Sequence, residues 1–528
     1  MRLLIFISTL ISCFTISINA QNGLDNPITK AMMDVYQQQL DENPQDYDVY
    51  FKRAIEYYNR DIYNNALSDI NNALAYIPAT ETDMKLQALN IRASIYEATK
   101  DYEKALNDLN EAYNLDKNSY AILYRKANAE YMLKDYIAAK ADYKRMLRLN
   151  NRSVEALIGI ARIAVLENDK ELANEYADNA VAIASSDANV FVKRASVRKM
   201  MGNNIGAVDD LIISLSMDGN AKALHELIEL ANSDYNSVIT GLSNAIRHAP
   251  KVGMHYYVRG VIACEHFNYS AALADFKKIV NENLYNYHGL HKDIAKCQYA
   301  LGDYKDAIYN INYAINGDQQ NCEYNTIKAQ ILRASDRADE AVKFCDIALK
   351  INANYTPAII EKGLNISDLQ KHEQASALYG EAILNEANNP YYLLLKADLL
   401  DKKLNQPNDA KYLYERVVEM NFEKTNINSL KGFALLSLNK YDEAIAWIEN
   451  ILQNTTDNDG IKNYYGACLY SQIGDTDKAF ECMKTSLQKG YSNYHNWVKN
   501  NDTNVNVAPI RNDKRFNSLM TQYSLIFK

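Results

Sequence analysis

Histidine and cysteine are the side chains best suited to metal or nucleophilic chemistry, and this 528-residue chain has 8 of the first and 7 of the second. Their spacing organises no reaction. His225-Glu226 begins as a zinc-protease helix begins, but position 229, where a second His would complete the ligand pair, is Glu229. His288 and His291 are three apart, a spacing that suits two ligands on one helix face, yet no further ligand accompanies them. Beyond the first twenty residues the cysteines are Cys264, Cys297, Cys322, Cys345, Cys468 and Cys482, with no CxxC pair and no zinc-ligand spacing. Cys468 and Cys482 fall at similar height on two antiparallel helices, where a bridge is conceivable; small buried apolar residues is the plainer reading. No Gly-rich phosphate loop and no GxSxG are present. Asn-x-Ser/Thr at Asn268 and Asn454 is expected by chance in so Asn-rich a chain. The expectation is a chain with no catalytic residue, no metal and no cofactor.

What does recur is a charge pair. Arg53, Arg92, Lys126, Arg194 and Arg259 stand sixteen residues before Asp69, Asp108, Asp142, Asp210 and Asp275. In the intervening unit Ile160 and Tyr176 replace both partners together. We read the pair as an ion pair between two helices of one unit, architectural in role and contributing under about 1 kcal/mol each if exposed.

The elements that position these pairs repeat. A small anchor residue recurs as Ala66, Ala105, Ala139, Ala173 and Ala207. After Val238 it continues as Ala272, Ala307, Ala341, Ala375, Ala410, Ala444 and Ala479, mostly 34 or 35 residues apart. An aromatic often stands three residues before it (Tyr63, Tyr102, Tyr136, Tyr269, Tyr304, Tyr441), and a core residue four after it (Ile70, Leu109, Tyr143, Phe276, Tyr379, Ile448). The turns carry their own chemistry at Lys100-Asp101, Leu301-Gly302-Asp303 and Ile473-Gly474-Asp475. Gly accepts the left-handed conformation that ends one helix, and Asp caps the next. Low Gly and Pro (18 and 8) and no alternating apolar pattern make the chain all-helical.

A period near 34 held this long is the signature of stacked helix pairs. The chain resembles the tetratricopeptide repeat family over roughly residues 28–525, most clearly at 54–78, 299–318 and 435–452. The resemblance implies an all-α, right-handed superhelical solenoid of about thirteen helix-turn-helix units. It also implies that first helices line a concave groove that binds a partner. Projected there are Phe51, Tyr58, Asn90, Tyr124, Asn128, Tyr131 and Arg162, then Tyr257, Lys292, Lys296 and Tyr299. Tyr and Asn suit a peptide, or alternatively a glycan. The family's best-known carboxylate clamp needs paired Lys residues at matching turns, which are missing here.

The expected organisation is a signal peptide (1–20), then a linker and lone capping helix (21–46) opened by Pro27. A first sub-array (47–218) follows, then a degenerate repeat (219–252) where the spacing falls to 31, and a second sub-array (253–490). A C-terminal capping segment (491–528) ends the chain. In many tetratricopeptide chains the ending has an Asp, a Pro-apolar-Arg, a further Asp and an Arg-Phe. Here these are Asp502, Pro509-Ile510-Arg511, Asp513 and Arg515-Phe516, with Trp497 and Phe516 sealing the last apolar face. Residues 1–20, one basic residue before an apolar run and then Ala20, predict export to the periplasm or envelope; the rival is lipoprotein acylation at Cys13. Formal net charge is −9, which disfavours nucleic acid. The expectation is a scaffold or adaptor for protein partners, with no span after leader removal; a glycan or other envelope polymer is the alternative ligand.

Overall fold

The computed structural model describes residues 27–284, 289–420, 429–454, 460–523 and 525; the leader with Cys13 and the histidine at 288 lie outside the described residues. Among those described, 28 α-helices run from Pro27–Glu42 to Lys514–Gln522, and consecutive helices stack in antiparallel pairs. By contacts the chain divides into two compact units, Met1–Glu226 and Leu227–Lys528.

Every anchor is sealed. Ala66, Ala105, Ala139, Ala173, Ala207, Val238, Ala272, Ala307, Ala341, Ala375, Ala444 and Ala479 are 0% exposed and Ala410 1%. A side chain this small lets the two helices of a pair approach closely, and the large residue four positions on fills the space beside it. Where that residue is aromatic, the opposing first helix can yield further. A Cβ on Gly260 would stand 2.5 Å from the Phe276 ring, and one on Gly363 would stand 2.5 Å from the Tyr379 ring.

The turns inside pairs follow one plan, and glycine is optional in it. Gly202, Gly302 and Gly474 adopt positive φ, but so do Asp61, Lys100, Lys134, Asn168, Phe267, Asp336, Gln370, Asn405 and Asn439. The Asp101 N–H reaches back to the Tyr96 carbonyl at 2.8 Å, closing the first helix, while its carboxylate accepts from the Lys104 N–H and opens the second. Asp303 and Asp475 cap in the same way. The 31-residue spacing has a local cause. Helix Ala221–His248 contains one non-helical residue, Asp234 (φ −146°, ψ 67°), whose carboxylate caps Ser237. A single residue there replaces the usual turn.

All five charge pairs form. Arg53, Arg92, Arg194 and Arg259 each grip their aspartate through two nitrogens at 2.6–3.0 Å. Lys126 reaches Asp142 at 2.5 Å. The third nitrogen of each arginine turns toward the preceding helix, to Gln37, Asn71, Asp178 and Ser243. One guanidinium therefore ties its own pair together and binds it to the pair before. The pairs are not exposed as the premise above allowed: Asp69, Asp108, Asp210 and Asp275 are 0–6% exposed. At the same register Lys328 sits 3.9 Å over Phe344 and Lys431 4.5 Å over Trp447, while Ile160 is buried in the unit that carries Tyr176.

A bidentate, largely buried pair couples more strongly than a surface one. Arg92→Ala, Asp108→Ala and the double variant, compared by chemical unfolding, are expected to give a coupling energy above about 1 kcal/mol. Additive losses would show that the pair contributes nothing as a pair.

Candidate functional site

Within the first unit, four of the projected residues come together. Helix Tyr120–Met132 supplies Tyr124, Asn128 and Tyr131, and helix Val154–Leu166 supplies Arg162. Tyr143, from the intervening second helix, lies beneath them and donates its hydroxyl to the Asn128 side-chain oxygen Oδ1 at 2.6 Å. Tyr124 and Tyr131 pack half-buried against the cluster around Tyr143, and the Tyr131 ring lies 5.6 Å from Tyr136. Burial raises the Tyr131 and Tyr143 hydroxyl pKa values, and the nearby Arg162 charge pulls both back. Among the described residues Arg162 has no carboxylate partner. Phe51 and Tyr58 are half-buried on helix Tyr47–Tyr58, Tyr58 with its ring 6.3 Å from Tyr63.

Asn90 does different work. Its amide donates to the Leu86 carbonyl at 3.0 Å, and its oxygen receives Arg125 at 3.3 Å. Arg125, a residue the sequence did not single out, also binds Ser94 and pairs with Glu97 at 2.9 Å. Asn90 therefore steadies a cation on this face.

In the second unit the projected residues are mostly covered. Tyr257 is 3% exposed and Lys292 5%, the latter paired with Asp293 at 2.9 Å; Lys296 is exposed. Tyr299 lies under the ring of His495, 4.6 Å away. His495 belongs to a C-terminal stretch that does more than seal the last pair. Trp497 (0% exposed) and Phe516 (4%) do join the terminal core, with Tyr464 and Tyr491 packed on Trp497. The chain from Ser492 to Asn506, however, runs over the ends of the first helices of this unit.

The contacts follow one another in order. The Ser492 N–H donates to the Phe267 carbonyl at 3.0 Å. The Tyr304 hydroxyl meets His495 Nδ1 at 3.0 Å. Arg333 forks onto Asp502 with 2.8 and 3.0 Å bonds, while its Nε donates to Glu361 at 2.9 Å. Asp398 accepts the backbone N–H of Asn504 at 2.8 Å. The Asn504 amide donates to the Phe433 carbonyl and to Ser437. Gln472 donates to the Asn506 carbonyl at 3.1 Å. A cavity of about 1090 Å³ remains beside this stretch, lined among others by Arg333, Arg337, His372, Lys402, Lys499 and Asp502.

One cation thus serves a buried carboxylate, Glu361, and a partly buried one, Asp502, and their environments separate them. Burial works against the charged form of Asp502, but the Arg333 fork outweighs it and holds the carboxyl below its ordinary range. Burial dominates at Glu361, against the pull of Arg333, and pushes it up to about 7. Burial, reinforced by the Arg333 charge, lowers His495 to about 4. Among the described residues no group of three His, Cys, Asp or Glu is placed to hold a metal ion. His291 instead bonds Asn310 and packs 4.0 Å from Tyr313. Cys468 and Cys482 are free thiols, as are the other four outside the leader; the Cys264 and Cys297 sulfurs are 3.3 Å apart.

A family model of the tetratricopeptide repeat matches residues 86–119, the unit that holds the Arg92–Asp108 pair. The TPR repeat-containing protein MJ1428 of Methanocaldococcus jannaschii is 23% identical over 453 residues, 78% of this chain and 77% of that one. Hsp70-Hsp90 organizing protein 2 of Arabidopsis thaliana is 26% identical over 223 residues, 38% of this chain and 36% of that one. Among solved structures, yeast Tom70 aligns with 14% identity and a TM-score of 0.35, over 77% of this chain and 99% of that one. A tetratricopeptide repeat protein from Parabacteroides merdae aligns with 19% identity and a TM-score of 0.35, over 55% and 98%. The chain thus carries one tetratricopeptide-repeat match, at residues 86–119, within an all-helical architecture of stacked pairs.

The raised Glu361 pKa makes a signed prediction. A carboxyl that binds its proton more tightly when folded contributes stability fully below about 4.5 and loses it as pH rises through about 7. Both tryptophans, Trp447 and Trp497, lie in the second unit and report its unfolding. From pH 5 to pH 7.5 the wild type is expected to lose stability relative to Glu361→Gln, by up to about 3 kcal/mol. A pH-independent difference would mean that Glu361 is ionised throughout.

Proposed function

We propose that this chain is a non-catalytic scaffold of the cell envelope that binds segments of protein partners along the faces of its first helices. The observation that carries this reading is the second unit itself. Its first helices hold a non-helical stretch of polypeptide, partly through bonds to that stretch's backbone at Asn504 and Asn506. Side chains that bond a backbone accept polypeptide as a class rather than one residue type. The repeat match at 86–119 supports protein partners, as does the partial likeness to a relative named for organizing Hsp70 and Hsp90. In the first unit Tyr124, Tyr131 and Arg162 offer flat rings beside a cation, a surface suited to an extended peptide.

The glycan alternative relied on paired amides. Asn90 already bonds Leu86 and Arg125, and Asn128 already receives Tyr143, which weakens that reading. Export rests on residues 1–20. Among the described residues no helix is long and apolar enough to cross a membrane. The intact mass of the purified protein distinguishes a chain starting at Gln21 from one acylated at Cys13.

Crosslinking in intact cells, followed by pull-down and mass spectrometry, tests the binding face. A partner captured by wild type is expected to fall at least tenfold with Tyr124→Ala/Arg162→Gln. It should persist with Ile137→Ala, which alters an 88%-exposed side chain on a second helix. Equal capture by all three proteins would place binding elsewhere.

A further inference from the structure

The polar groups that hold the C-terminal stretch are braced by partners on the second unit's own helices. Glu361 is 2% exposed and Asn365 0%; Asn365 donates to Glu361, and Glu361 accepts the Nε of Arg333, so the guanidinium fork is aimed outward in a fixed plane. Asp398, 4% exposed, is oriented by the Tyr414 hydroxyl on Oδ1 at 2.5 Å, and its Oδ2 is shared between Lys402 at 3.0 Å and the incoming N–H. Ser437 and the Phe433 carbonyl together take one side-chain amide. An aspartate, an asparagine two residues later and a carbonyl two further on satisfy all of these at once. Without an occupant, two nitrogens of the enclosed Arg333 lose their 2.8 and 3.0 Å bonds, which is costly.

We propose that this first-helix face is a sequence-selective peptide site that reads Asp-x-Asn in a bent stretch of chain, kept filled by the protein's own Asp502–Asn506. The inference rests on the functional reading only in treating first helices as a peptide-binding face. It adds the sequence class that the second unit accepts and the segment that a partner must displace. Specificity comes from three features. The Arg333 fork demands a planar carboxylate. The Asp398 acceptor fixes the backbone register. The Ser437 and Phe433 pair selects an amide over a carboxylate, because the Phe433 carbonyl can only accept. The occupant is braced in the same shape: Asn500 accepts the Asp502 N–H, and Asn506 donates to the Thr503 carbonyl. A tethered occupant competes at high effective concentration, so the site is closed to weak free ligands.

The test uses the full chain and a fluorescein-labelled peptide of residues 498–507, VKNNDTNVNV. Asp502→Ala/Asn504→Ala is expected to raise amide hydrogen exchange over 499–506 at least tenfold while tryptophan fluorescence stays native. That variant should bind the labelled peptide at least tenfold more tightly than wild type. The peptide with Asn in place of Asp should not bind, and adding Arg333→Ala should abolish binding. If the double variant does not fold, Asp502→Asn read in the same way decides. Unchanged exchange, equal binding to wild type and variant, or equal binding of the Asn peptide would each overturn the proposal. None of these readouts involves the first-unit face, so failure here and failure of the scaffold reading are separable.

Discussion

Two helices of a dozen residues can bury a core only if their backbones come close, and this closeness is the constraint on which the rest of the molecule depends. The anchor positions meet it with residues that expose essentially nothing, twelve alanines and one valine. The position four residues later then faces a space whose size the neighbouring first helix sets. Ile70, Leu109 and Ile448 fill it with aliphatic groups, whereas Phe276 and Tyr379 require the first helix to give up its Cβ at Gly260 and Gly363. Small-for-large exchange across the contact conserves volume, which is what a close-packed interior tolerates best. Each pair, once closed, still presents an apolar flank, so pairs must stack, and stability becomes a sum over neighbours.

Close approach also fixes a register. Residues sixteen apart meet across a pair, and the chain spends that meeting in several ways. Five units place a cation on a carboxylate, two place a lysine over an aromatic ring, and one substitutes Ile160 and Tyr176. The arginines go further than pairing. Because a guanidinium has a third nitrogen free after forking onto aspartate, it also reaches the preceding helix, at Gln37, Asn71, Asp178 or Ser243. Lysine has no such fork, and Lys126 instead divides between Asp142 and Glu130 on its own helix. The arginine units are thus bound forward and backward by one side chain.

The features legible in the sequence are those whose partners lie within one repeat. Anchors, caps at Asp101, Asp303 and Asp475, and the sixteen-residue pairs all follow from helix geometry over a short span. The odd spacing around Val238 was visible, but its cause, a turn reduced to Asp234, was not, because spacing counts residues without saying which are helical. Left-handed turn residues were legible at Gly302 and Gly474 but not at Phe267 or Lys134, where the turn imposes the conformation on a side chain that does not advertise it. Surface assignments were harder still. Lys292 and Tyr257 were placed on the groove by position, yet burial follows from what neighbours cover them, and Asp293 pairs with Lys292 from the adjacent position. The Arg333–Asp502 contact spans 169 residues. No periodic argument links them, since the tail lies outside the repeat and its path depends on which first helices it crosses.

Burial explains why one projected face is filled and another is not. Arg333 is enclosed with Glu361, and Asp502 supplies a forked carboxylate that compensates the cost of burying its charge. Burial, reinforced by the Asp502 charge, raises the Glu361 pKa, while the Arg333 fork holds Asp502 below its ordinary range. Arg162 is half-buried among tyrosine rings, where water can solvate the guanidinium at little cost, so no carboxylate need be built in beside it. A face whose cation is buried must carry its own anion, whereas a face whose cation is wet can wait for one. The second unit meets the first condition with its own chain, and the Tyr124, Tyr131 and Arg162 surface meets the second, which is the physical ground for the proposal that a partner binds there.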